Sequence, residues 1–206
     1  MKVLLVEDDL ELANLVVERL CKFNPLFEIE SISSGDKCLQ KLSQNDNEYE
    51  AIILDSKLTE FDGLEFLNKM NQDGFDTPVV IVSGQENKQI GVEALKKGAY
   101  DYIVKDASYL STLPNIVQNT IEKHQLETKL KELQSLILNS KKRLQSTFDG
   151  ITDIIYQVNR DFEIIIANKA FAEQCHTQPE NLIGKNCYDA FFHCQEACFD
   201  CPVKET

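Results

Sequence analysis

The 206-residue sequence has no tryptophan and no apolar run approaching the ~18 residues that a membrane-spanning helix requires. Its first residues are a short apolar run leading into acids, without the basic start and long apolar core of a secretory signal. No membrane association is expected, and the chain reads as cytoplasmic. Positive charge is also scarce. The net charge is −13, with −11 on residues 1–122 and −6 on residues 147–206. Such surfaces repel a polyphosphate backbone, which argues against nucleic-acid binding by either end. The one basic stretch, residues 123–146 at +4, follows a helix pattern and reads as a solvated helix face. Seven cysteines, an odd number, argue against a disulfide framework. Cys21 and Cys38 fall on helix patterns and read as buried, reduced thiols; the other five crowd the end.

Apolar residues make up 43% of the chain, enough for a core. In residues 1–122 they come as short runs, "KVLLV", "FEIESI", "AIIL", "PVVIV" and "AYDYIV". Runs of this length, rich in Val and Ile, suit strands buried within a sheet. Helical stretches lie between them. One places Leu12, Leu15, Val16, Arg19 and Leu20 at helical spacing; "GDKCLQKL", "GLEFLNKM" and "NKQIGVEALKKG" repeat the pattern, the last ending on Gly98. Five strand–helix pairs predict an α/β fold, a five-stranded doubly wound parallel sheet with helices on both faces. The crevice of such a sheet lies outside the carboxyl ends of its strands. The polar residues after four runs fall there: Glu7 and Asp8, Asp55, Ser83 and Gly84, and Lys105. Packing alone does not explain three acids, a hydroxyl and an amine on one rim.

The quoted runs "VLLVEDD", "IILDSKLTEFDGLEFL", "PVVIVSG" and "GAYDYIVKD", in this order, resemble the receiver domain of two-component response regulators, whose flavodoxin-like fold is the one reached from pattern. The resemblance implies that Asp55 accepts a phosphoryl group from a histidine kinase or phosphotransfer protein. It implies Mg2+ held by Glu7, Asp8, Asp55 and the backbone carbonyl of Lys57, with Lys105 and Ser83 on the phosphate oxygens. Asp9 is assigned mainly to capping the next helix. Ser83 and Tyr102 are the implied switch residues, and Lys57 and Gln85 border the site. The sequence departs from the family twice: Asp106 follows Lys105, and Thr59 stands four residues after Asp55, where the family often has proline. No metabolic turnover is expected, only self-phosphorylation from phosphohistidine and slow autodephosphorylation.

No glycine or proline interrupts Asn115 to Asp149. Leu113, Ile116, Val117, Ile121 and His124 form a stripe suited to the sheet. Beyond it, Leu126, Leu130, Leu133, Ile137, Ser140 and Leu144 follow the 4-3-4-3-4 spacing of a heptad seam. A helix of about 35 residues spans roughly 50 Å and is rarely stable alone, so a homodimer through residues 108–146 is expected. From Phe148, "DIIYQVNRDFEIIIANKAFAEQC" and "ENLIGKNCYDAF" resemble the start of a PAS sensory domain, with Asn168 after the second strand. The later strands of that family are absent from the sequence, so a longer protein is expected. The expected organisation is therefore a receiver (1–122), a helical coiled-coil linker (123–146) and a partial α+β PAS-like domain (147–206), apparently truncated. Cys187, Cys194, Cys198 and Cys201 are spaced as candidate metal or redox residues, with His193 beside them. Two other readings stay open: the regulatory front of a larger sensor kinase or cyclic-dinucleotide enzyme, and an adaptor that works without phosphate.

Overall fold

The computed structural model describes residues 1–44, 48–58, 62–84, 88–199 and 201. Chain contacts divide it into two units, Met1–Leu130 and Lys131–Thr206. In the first unit, strands and helices alternate: β1 (Lys2–Val6), α1 (Leu10–Phe23), β2 (Glu28–Ile32), α2 (Gly35–Gln44), β3 (Ala51–Asp55), α3 (Gly63–Asp73), β4 (Val79–Ser83), α4 (Lys88–Lys96) and β5 (Asp101–Val104). All pairings are parallel, in the order β2-β1-β3-β4-β5. Helix α5 (Tyr109–Asp149) begins in this unit.

The central strands are buried on both faces, as their uninterrupted apolar runs require. Side chains alternate between faces with the period of a strand. Leu4, Val6, Ile52, Leu54 and Ile81 join the core under α2, α3 and α4. Val3, Leu5, Ile53, Val80 and Val82 join the core under α1 and the start of α5, where Leu113, Val117 and Ile121 are buried. The stripe of α1 is Ala13, Val16 and Leu20, and at about 3.6 residues per turn Leu15 falls on another side of the helix and is exposed. Cys21, expected inside, is exposed beyond that stripe, while Cys38 is fully buried.

At the base of the sheet α5 is tied down by polar contacts. The Tyr100 hydroxyl donates to Glu127 Oε2 (2.6 Å) and meets His124 Nδ1 (2.9 Å). His124, read as the last member of the stripe suited to the sheet, meets Tyr100 there. No helix among the described residues is long and apolar enough to cross a membrane.

The second unit holds an antiparallel hairpin, β6 (Tyr156–Val158) and β7 (Ile164–Ala167), followed by α6 (Lys169–Gln174), a 3-10 turn (Pro179–Asn181) and α7 (Cys187–Ala190). Both strands are shorter than their apolar runs. Its small core centres on Ile164, Phe171, Leu182 and Cys187, with Tyr156 stacked on Phe171. The buried hub is Asn168. Its Oδ1 accepts from the N–H groups of Ile155 and Phe171, and its Nδ2 donates to the carbonyls of Ile151 and Asp153. One side chain thereby caps α6 and fixes the approach to β6.

Replacing Asn168 with alanine removes the partner of the buried Phe171 N–H and of three partly buried backbone groups, so Asn168→Ala is expected to cost about 2–4 kcal/mol. Urea unfolding of the full chain, followed by hydrogen exchange, checks this. Protection should fall around β6, β7 and α6, while β1 and β3 keep theirs.

Candidate functional site

The parallel register carries the ends of β1, β3, β4 and β5 to one rim. Val6 pairs with Leu54, Asp55 with Val82, and Ser83 with Val104, so the next residues meet above the sheet. Glu7 and Asp55 are buried there, and Asp8 is exposed. One oxygen from each of Glu7, Asp8 and Asp55 can be chosen so that all lie within 4.8 Å of one another. Lys105 Nζ donates to Asp55 Oδ2 at 2.6 Å and to Glu7 Oε2 at 2.9 Å, bridging β1, β3 and β5.

Electrostatics follow from this packing. Burial pushes the Glu7 carboxyl above its ordinary value, and the Asp55 charge adds to it, against the pull of Lys105. Burial works to lower the Lys105 amine, but its hydrogen bonds to Asp55 and Glu7 outweigh it and hold the amine above its usual range. Three carboxylates against one amine leave excess negative charge over hard oxygen donors, a set that suits Mg2+.

The neighbours divide into supports and open space. Asp9 caps α1, accepting from the N–H groups of Glu11 and Leu12, as expected. The Lys57 N–H donates to Asp55 Oδ1 (3.0 Å), and the Lys57 backbone forms an antiparallel bridge with Asp62, the residue that caps α3. Ser83 is fully buried, and its Oγ has no hydrogen-bond partner among the described residues; Ser56 Oγ is in the same state. A side chain on Gly84 would meet nothing within 4 Å. Thr59 and Gln85 lie outside the described residues.

Asp106, where the family often has proline, has a local function. Its Oδ1 accepts from the N–H and hydroxyl of Ser108, and its carbonyl from the Tyr109 N–H, which shapes the turn into α5. Tyr109 was missed by sequence reasoning. It is buried, and its hydroxyl is pushed up to about 12, first by burial, then by the Glu7 and Asp55 charges against the opposing pull of Lys105. Its only sequence signal is a position one turn after Lys105.

Tyr102 packs at the edge of the α2–α4 core. Its ring lies against Gly91 of α4: a Cβ there would stand 2.6 Å from Cδ1 and 2.7 Å from Cε1. Of the candidate cysteines, Cys187 is buried, Cys198 and Cys201 are half-buried, and Cys194 is exposed. Among the described residues, only Glu7, Asp8 and Asp55 form a group of three ligand atoms within 4.8 Å of one another.

Two family models match: the response regulator receiver domain over residues 3–118 and the PAS fold over residues 142–205. Two-component response regulator ARR2 of Arabidopsis thaliana is 26% identical over 64% of this chain and 19% of its own length. Transcriptional regulatory protein CiaR of Streptococcus pneumoniae is 31% identical over 59% of this chain and 52% of its own. The chain thus spans from 19% to 52% of the length of these curated relatives. Among solved structures, the Francisella response regulator 1452 receiver domain matches with a TM-score of 0.52 and 26% identity, covering 59% of this chain and 97% of that one. NtrX from Brucella abortus matches with a TM-score of 0.54 and 25% identity, covering 75% of this chain and 36% of that one.

Alanine normally improves a helix interior by about 1 kcal/mol over glycine. Here the Tyr102 ring fills the space, so Gly91→Ala is expected to cost a net 1–2 kcal/mol, roughly the penalty of overpacking. Thermal melts check this: Gly91→Ala should lower the midpoint with Tyr102 present and raise it in a Tyr102→Ala background.

Proposed function

This chain belongs to the response regulator receiver family, with a PAS fold behind the receiver, and we propose that it is switched by phosphorylation of Asp55. The reading rests above all on one observation: three carboxylates share a rim with a lysine amine that bridges two of them. In the proposed reaction an Asp55 oxygen attacks the phosphorus of a phosphohistidine on a partner kinase or phosphotransfer protein. The phosphorus–nitrogen bond breaks, the imidazole leaves with its electron pair, and an acyl phosphate remains. Glu7, Asp8, Asp55 and the Lys57 carbonyl would hold Mg2+, which neutralises charge between two anionic reactants. The Lys105 amine exchanges a carboxylate oxygen for a phosphoryl oxygen. Ser83 Oγ supplies a hydroxyl that has no hydrogen-bond partner among the described residues. The reading places the chain in the cytoplasm, with no metabolic substrate and slow self-hydrolysis as its only turnover.

The added charge, about −1.5 to −2, arrives beside Ser83 and the turn into α5. In this reading Ser83 and Tyr102 form the switch, and the output passes along α5. The proposed organisation is a receiver over 1–122, a coiled-coil linker over 123–146 and a sensory module over 147–206. Leu126, Leu130, Leu133, Ile137 and Leu144 are all exposed on α5 at heptad spacing, which suits a parallel pair with a second copy.

Incubation with acetyl phosphate and Mg2+ tests the chemistry by intact mass. The wild type should gain one phosphoryl group and Asp55→Ala none; a wild type that stays unlabelled, or equal labelling of both, overturns it. Sedimentation tests the pairing. The wild type should be a dimer, and Leu133→Lys combined with Ile137→Lys a monomer that still accepts the phosphoryl group.

A further inference from the structure

The second unit carries an apolar surface that stays exposed among the described residues. Ile137, Ser140, Lys141, Leu144, Gln145 and Phe148 follow the i, i+3, i+4, i+7, i+8, i+11 spacing of one helix face, on the last turns of α5. With Ile166 of β7 they line a cleft of about 510 Å³. A second cleft of about 350 Å³ adjoins it, sharing Gln145, Phe148 and Ile166 and reaching Ile165, Glu180 and Ile183. All these residues belong to the second unit. The end of α5 is fastened there by hydrogen bonds. Asp149 Oδ1 accepts from the Lys169 N–H at 3.1 Å, and the Ile151 carbonyl accepts from Asn168 Nδ2 at 3.2 Å. Ile137, Leu144, Ile165, Ile166 and Ile183 nevertheless remain exposed. Contiguous apolar patches of this kind mark interaction sites.

Two observations select the occupant. Ile137, Ser140 and Leu144 are also the last three members of the heptad seam, so a helix paired along that seam runs into the first cleft. Charge agrees. Asp149 and Glu180 edge the second cleft, within a region of net charge −6. Its complement is a helix with an apolar stripe and basic flanks. Helix α5 is itself such a helix: residues 123–146 carry +4, and Lys141, Lys142 and Arg143 are exposed beside Leu144. A small molecule in the clefts would leave the seam above them uncovered, whereas a second α5 covers both.

We propose that the clefts between the end of α5 and β7 seat the α5 helix of a second copy, so that Ile166 and Glu180 belong to the dimer interface. The proposal rests on the α5 pairing described above and extends it from the coil onto the hairpin. Each copy's hairpin then rests on the other copy's helix as well as on its own. A change in the register of the coil thereby acts on the sensory unit directly.

Sedimentation of the full unphosphorylated chain tests the seat, with circular dichroism to check the fold. Ile166→Lys should weaken the dimer at least about tenfold. Ile154→Lys, at an exposed residue outside both clefts, should leave it as tight as the wild type. Cross-linking identifies the occupant. Isotopically light and heavy chains carrying Ile166→p-benzoylphenylalanine are equilibrated together and irradiated. Adducts should join position 166 of one chain to residues 137–148 of the other. Adducts confined to single chains overturn the proposal while the coil stands. So does a dimer that Ile166→Lys leaves as tight as the wild type, or an equal loss in Ile154→Lys. A monomeric wild type removes the coil and this seat together.

Discussion

The amine of Lys105 is the interaction on which the receiver unit turns. Two carboxylates from neighbouring strands, Glu7 and Asp55, are buried at the same edge of the sheet. At an effective dielectric near 20, like charges 4 Å apart repel by about 4 kcal/mol. The Lys105 contacts, 2.6 and 2.9 Å, offset that repulsion while leaving one side of the rim open to Asp8. Its position has a simple cause. Parallel strands in 2-1-3-4-5 order place the residues after β1, β3 and β5 at one edge, and the core beneath is apolar on both faces. A buried ion pair of this kind adds little net stability, and removing one partner is costly. Its presence is better explained by readiness for an anion and a cation than by folding.

From that rim two paths lead outward through residues with defined contacts. One passes through Asp106, which orders the turn at the head of α5, and Tyr109, which feels the charges of the site from inside the helix. The other runs along β4 and β5 to Tyr102, whose ring rests on Gly91. The first ends on α5 and the second on α4. Ser83 and Ser56 each keep a buried hydroxyl without a hydrogen-bond partner among the described residues. Such groups are costly when unmet.

The sheet was legible because a parallel sheet buried on both faces demands uninterrupted Val, Ile and Leu, and five such runs stand apart from helical spacing. The acids and Lys105 were legible because each closes a strand or stands within two residues of its end. Other features depended on the third dimension. Cys21 lies one residue beyond the buried stripe of Ala13, Val16 and Leu20, a step of about 100° round the helix that turns it outward. Tyr109 is buried near enough to feel the charges of Glu7, Asp55 and Lys105, which its place in the sequence does not show. Gly91 resembles an unremarkable helix glycine until the Tyr102 ring is seen against it.

The central claim is that Asp55, supported by the acids and Lys105, holds a phosphoryl group with Mg2+. Fluorine NMR with beryllofluoride, a mimic of the acyl phosphate, tests it most directly. The account predicts bound fluorine resonances in the wild type only when Mg2+ is present, absent from Asp55→Asn and weakened in Lys105→Ala. Bound resonances that persist in Asp55→Asn, or none in the wild type with Mg2+ present, would contradict it.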